Sequence, residues 1–306
     1  MLKFGKGKNK QIICVILTLM LVLSPLAGYG SEETDDQDQE QDAVGQRVVS
    51  IANDITLGQR DEILDHFGVS LDEIGVQFIT TTIEDEYEYL GDVATREVIG
   101  NRTISSAYVE ILPEGEGITV DTHNITWVTR EMYTSALVTA GLNNAYVSAA
   151  APFPVSGTGA LTGVIKAFEE ATGKELPEEN KKVAHEEIVI LQELTDDETE
   201  NSKRINQLIQ QAKEQVLNQR PLDEDEIENI IRNLADEMEI QLDDDQINRI
   251  TNFLIQFNHI DIDLDQLRNQ IERLAEDPAI RSFFIMIFER ISGWTQNIID
   301  MLKNLR

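Results

Sequence analysis

Residues 104–124, ISSAYVEILPEGEGITVDTHN, decide how the fold is read. Two runs, Ile104–Leu112 and Gly117–Asn124, are rich in β-branched and aromatic residues and partly alternate, the period of a half-buried strand. Between them, Pro113-Glu114-Gly115-Glu116-Gly117 brings residues that fix or free the backbone for a reversal. The pattern predicts two neighbouring strands paired as an antiparallel hairpin. Outward from this segment, Arg47–Ile51, Gly75–Thr81 and Ala145–Ala150 read as further strands. Helical patterns fall between them. One runs over Gln59–Phe67 and stops at Gly68; another is capped by Thr129 and ends before Gly141. An α+β domain with a mixed or antiparallel sheet is therefore expected over residues 46–175.

Beyond Pro177 the β signals stop. Leu208, Ile209, Ala212, Val216 and Leu217 form one apolar stripe at helical spacing. Ile227, Ile230, Ile231, Leu234 and Met238 form the next, after an acid-rich start at Asp223–Glu226 that suits a helix N-terminus. Ile247, Ile250, Phe253, Leu254 and Phe257 continue the pattern. No stripe is long enough for a coiled coil, so residues 176–278 read as an all-α helical bundle. Residues 279–306 read as a separate apolar amphipathic helix around the block Phe283–Phe288, too short to cross a bilayer, which needs about 20 apolar residues. Packing on the bundle, dimerisation, and membrane-surface contact through Phe283, Phe284 and Trp294 all fit that block.

The other end is organised differently. Lys3, Lys6, Lys8 and Lys10 precede an apolar run from Ile12 to Leu23 and the small residues Gly28 and Gly30. This order reads as a secretory signal peptide over residues 1–30, with cleavage before Ser31, and it predicts an exported protein, secreted or held at the cell envelope. An uncleaved anchor is the competing reading. Residues 31–45 begin with the acidic run SEETDDQDQEQD and read as a disordered spacer. The formal charge is −31 and becomes more negative once the lysines of the leader are removed. Such a chain repels phosphate backbones, so nucleic acid is not an expected partner; cations, basic proteins and the cell wall are. Cys14, the only cysteine, lies in the leader, which excludes disulfides and thiolate chemistry from the mature chain.

Several segments carry a resemblance: Glu88-Tyr89-Leu90-Gly91, the stretch Gly100–Ser106, the stretch Val120–Thr126, Glu131-Met132-Tyr133 with Thr139-Ala140-Gly141, and Ala151–Gly163. Together they resemble the YpuA-like secreted proteins of Bacillus-type bacteria, a family of unknown function. The resemblance covers Val48 to about Phe168 and implies export and a Gram-positive source. It transfers no catalytic residue.

The residues offer few sites. Ser156, Gly157, Thr158 and Gly159 follow a predicted strand and enter a predicted helix, where free backbone N–H groups meet anions. The glycine spacing matches neither a dinucleotide fingerprint nor a P-loop, so the same glycines also read as a tight turn with close helix packing. Asp121 and His123, with Ser105, Ser106 or Ser156, contain the residue types of a hydrolytic triad, but no nucleophile elbow joins them. His185-Glu186-Glu187 lacks the second histidine of a zinc protease. Asp261, Asp263, Asp265 and Glu272 have the spacing of a calcium loop, with Gln266 where the turn needs glycine; the same acids also suit helix capping. No cofactor is implied. The sequence predicts a non-enzymatic binding or interaction protein of the envelope or medium, with a protein or cell-wall partner. The alternatives are a wall or peptide hydrolase using the Asp121/His123 and Ser156 region, and a membrane-surface protein.

Overall fold

The computed structural model describes residues 42–91, 94, 96–194, 200–221, 223–260 and 262. The leader, most of the acidic spacer, the calcium-like window from Asp261 onward and the C-terminal apolar helix lie outside the described residues, save Ile262.

Five strands, β1 (Arg47–Ala52), β2 (Val76–Thr81), β3 (Ser106–Ile111), β4 (Ile118–Ile125) and β5 (Ala145–Val155), form one mixed sheet in the order β2-β1-β3-β5-β4. Among the strands lie helices α1 (Leu57–Phe67), α2 (Ile83–Leu90), α3 (Arg96–Ile99) and α4 (Arg130–Ala140). After β5 come α5 (Ala160–Thr172), α6 (Glu178–Leu194), α7 (Glu200–Gln219), α8 (Glu224–Glu237) and α9 (Asp244–His259). The protein is α+β, and its outer strand pairs β1·β2 and β4·β5 are parallel while β1·β3 and β3·β5 are antiparallel.

The predicted hairpin does not form. β3 and β4 are separated by β5, which pairs with both. The turn residues do reverse the chain, but the reversal spans the width of a strand. Asn144, at the entry to β5, fills the gap: its Oδ1 accepts the N–H groups of Gly115 and Gly117 at 3.0 and 2.9 Å. Its carbonyl accepts from Leu112 N at 2.9 Å. Composition accounts for the order. β5 begins AYVSAAA, apolar or small on both faces as an interior strand requires, whereas β4 (ITVDTHNI) is polar on one face and suits an edge. β5 also runs beyond Ala150, because after a bulge it rejoins β4 at Ile125 and Val155. Asn124 turns that bulge at φ 55° and donates its Nδ2 to Ala151 O at 2.9 Å.

Alternation sends the strand residues to two layers. Val48, Ala107, Val109, Val147 and Ala149 face α4, α5 and the later helices in one continuous apolar cluster; Val49, Tyr108 and Tyr146 face the other way, toward α1. α4 is buried from Met132 to Ala140 without a break, because it lies between the sheet and α6. Gly163 lets α5 approach the sheet: a Cβ there would already touch Ala107, Ser50 and Thr81 at 3.5 Å.

The local signals hold where they were read. Thr129 caps α4 and Gly141 ends it in the left-handed conformation, as Gly68 ends α1. The three apolar stripes of α7, α8 and α9 are buried, and Asp223 and Asp243 cap α8 and α9 through Glu226 N and Gln246 N.

Candidate functional site

The glycine loop between β5 and α5 is packed from within. Gly157 has φ +100°, and its carbonyl accepts the hydroxyl of buried Tyr133. A Cβ on Gly157 would collide with Ile125 and lie 2.7 Å from the Tyr133 hydroxyl. Gly159, the N-cap of α5, has no side-chain cap; a Cβ there would lie 2.5–2.7 Å from the carboxylate of Glu86. Glu86 is 3% exposed and accepts the Thr103 hydroxyl at 2.6 Å. The carboxyl against this helix start is thus the protein's own. Burial pushes Glu86 up to about 7, the Thr103 hydrogen bond opposes this, and the negative charges of Asp54 and Asp85 add to it. Thr158 is buried and Ser156 half-buried.

Asp121 and His123 stand on β4, two residues apart and therefore on one face, the face that carries Tyr146 and Tyr108. Among the described residues neither is hydrogen-bonded to Ser105, Ser106 or Ser156. Ser105 and Ser106 are buried, and Ser106 Oγ accepts the N–H of Ala52 at 3.0 Å. Instead His123 stacks on His66 from the last turn of α1, with ring centroids 4.2 Å apart and planes 24° apart. Both rings are exposed. Burial and the His123 ring push His66 down, while Asp121 pulls it back up.

The strand register lays out the rest of this face. Arg47, Glu110, Tyr146 and Thr119 are successive neighbours across β1, β3, β5 and β4. Val49, Tyr108, Ser148 and Asp121 are near neighbours one level along. Tyr108 donates its hydroxyl to Glu110 at 3.0 Å, and Arg47 is paired with Glu73 at 2.7 Å. α1 covers Tyr108 through Phe67, at 6.0 Å between rings, but leaves Thr119 exposed and Tyr146 and Asp121 half-exposed.

Two buried polar centres complete the picture. His185 is fully buried and stacked on Tyr89 at 5.2 Å. Its Nδ1 lies 2.7 Å from the Lys181 carbonyl, which can only accept, so Nδ1 carries the proton and Nε2 accepts from the Thr162 hydroxyl at 2.9 Å. Burial pushes His185 down to about 4. The neighbouring Glu187 pairs with Lys213, and Ser135 and Thr139 of α4 bind both. Sequence reasoning missed this pair and His66. The pair had a signal, since Lys213 falls within the apolar stripe between Ile209 and Val216; His66 had none. Among the described residues no three His, Asp or Glu side chains gather as metal ligands, and no helix is long and apolar enough to cross a membrane.

The fold and the site define an α+β protein with a five-stranded mixed sheet, layered with helices on one face and, among the described residues, with α1 alone beside an otherwise open face. The chain belongs to the family described as "Protein of unknown function (DUF1002)", whose model matches residues 52–274 and so takes in both the sheet and the later helices. It is 42% identical over 154 residues to the "Uncharacterized protein YpuA" of Bacillus subtilis (strain 168), a match covering 50% of this chain and 52% of that protein. The chain thus spans about half the length of this curated relative. No solved structure matches it.

Proposed function

We propose that this is an exported, non-catalytic binding protein of the cell envelope whose ligand-facing surface is the open side of the sheet. The observation that carries the reading is the cross-strand row Arg47, Glu110, Tyr146 and Thr119, flanked by Asp121 and His123. A half-exposed tyrosine ring between carboxylates suits a polyhydroxylated polymer, whose apolar sugar face stacks on the ring while its hydroxyls donate to the acids. Wall glycan is the ligand of that chemistry reached by an exported protein. The helices after Pro177 back the sheet on its other face in this reading, sharing one apolar core with it, and the leader directs export.

Co-sedimentation with purified insoluble cell-wall sacculi tests it. The full chain pellets with the sacculi, and Tyr146→Ala or Asp121→Ala leaves it in the supernatant. Wild-type protein that stays in solution overturns the reading. Release of soluble wall fragments overturns it in favour of a hydrolase.

A further inference from the structure

The geometry of His66 and His123 points to a surface site for a divalent first-row transition cation such as zinc, held by the two imidazoles and completed by water. Two of the four histidines of the chain meet here although one closes α1 and the other lies on the edge strand β4. Nothing in the packing requires the contact, since both rings are exposed and neither belongs to an apolar cluster.

The spacing is close to what a shared ion needs. With a Zn–N distance near 2.1 Å, two imidazoles on one tetrahedral ion have ring centroids roughly 5.3 Å apart. The observed separation is 4.2 Å. The stacked rings do not yet aim at a common point, so binding turns each about its outer torsion and moves the centroids apart by about one ångström. Solvent on the exposed side leaves room for that turn. Imidazole is the side chain that suits zinc, copper and nickel, whereas the many carboxylates of this chain favour magnesium and calcium.

The surroundings favour a cation. Asp121 lies two residues before His123 on the same face and acts electrostatically on His66. It is a neighbouring charge here and not a ligand. With two protein ligands the site is open, so the ion keeps positions for an outside oxygen donor. This inference uses the same face as the proposed glycan surface but does not depend on it.

Calorimetric titration of the full, chelator-dialysed chain with zinc, in millimolar magnesium to occupy ordinary carboxylate sites, tests the inference. One equivalent of zinc binds and shifts the ring-proton NMR resonances of two histidines. His66→Gln and His123→Gln each weaken binding by about tenfold or more. His259→Gln, at an exposed histidine far along the chain, leaves it unchanged. Absence of zinc binding, or binding retained in the His66→Gln/His123→Gln double variant, overturns it. Repeating the sacculus sedimentation with chelator separates the two readings: sedimentation that persists while zinc binding fails removes the metal site alone, and zinc binding without sedimentation removes the glycan surface alone.

Discussion

Lys213 on α7 and Glu187 on α6 form a 2.8 Å salt bridge in which both side chains are 0% exposed. The ammonium also donates to Ser135 Oγ at 2.9 Å and Thr139 Oγ1 at 2.7 Å, and the two hydroxyls donate to the carboxylate. The Phe257 ring covers it at 5.0 Å. Three helices, α4, α6 and α7, therefore meet on one closed network. Lys213→Met leaves a buried carboxylate without its cation and is expected to cost about 3–5 kcal/mol in urea unfolding. Adding Glu187→Leu should recover most of that loss, because a buried pair is worth little against well-packed apolar side chains. A double variant as unstable as the single one would show that the network holds more than its two charges.

Gly159 and Glu86 make a second coupled pair. Gly159→Ala places a Cβ in the space of the Glu86 carboxylate and should destabilise by about 1–3 kcal/mol. Combined with Glu86→Ala, the same substitution should cost far less, giving a strong interaction in a double-mutant cycle. Gly173→Ala, whose Cβ would meet nothing within 4 Å, serves as control and should cost only the penalty of its left-handed backbone, about 1 kcal/mol.

The pH dependence sets Glu86 against His185. Glu86, raised from 4.5 to about 7, keeps a proton in the folded state that the unfolded chain releases, so its contribution falls as pH rises through that window. His185, lowered from 6.5 to about 4, stays unprotonated when folded while the unfolded chain takes a proton, so its contribution falls as pH drops below 6.5. Between pH 5 and 6.5 the two slopes oppose each other. Wild-type stability should be nearly flat there, whereas Glu86→Gln should rise with pH by about 1.4 kcal/mol per unit. Denaturant midpoints at a series of pH values check this. A flat profile in Glu86→Gln would contradict the burial of His185 as a neutral ring.

Asp243 accepts from Gln246 N at 2.8 Å while Gln246 Oε1 accepts from Asp243 N at 3.0 Å, a reciprocal cap on α9. Asp243→Ala should cost about 1 kcal/mol, and Asp244→Ala, whose exposed carboxylate makes only a surface pair with Arg232, a few tenths. Equal losses would mean that the acids act only through their charge.

What could be read from the chain divides by range. Caps and stripes are local: Thr129, Gly141, Gly68 and Asp223 act within a few residues, and the apolar faces of α7 to α9 repeat at a fixed period, so both were legible. Strand positions were legible for the same reason, but their order was not. Pro113–Gly117 specifies a reversal and carries no information about which strand enters the gap. The candidate site divided likewise. Asp121 and His123 share a face by alternation alone, yet His66 reaches them only because α1 packs on β5. The glycines of the Ser156–Gly159 loop announced a close approach. That the approaching group would be a carboxylate from α2 depends on tertiary packing.

The insertion of β5 between β3 and β4 bears on the order of assembly. β5 is the last of the described strands to be synthesised and the one that joins β4 to the rest of the sheet. Until Ala145–Val155 is available, β3 ends the sheet at an open edge and β4 has no partner among the strands. Non-local pairing of this kind is slow, and unpaired edges invite aggregation. The sheet must therefore wait for its centre, and a nascent chain that stops short of residue 145 has no smaller sheet containing β4 to fall back on.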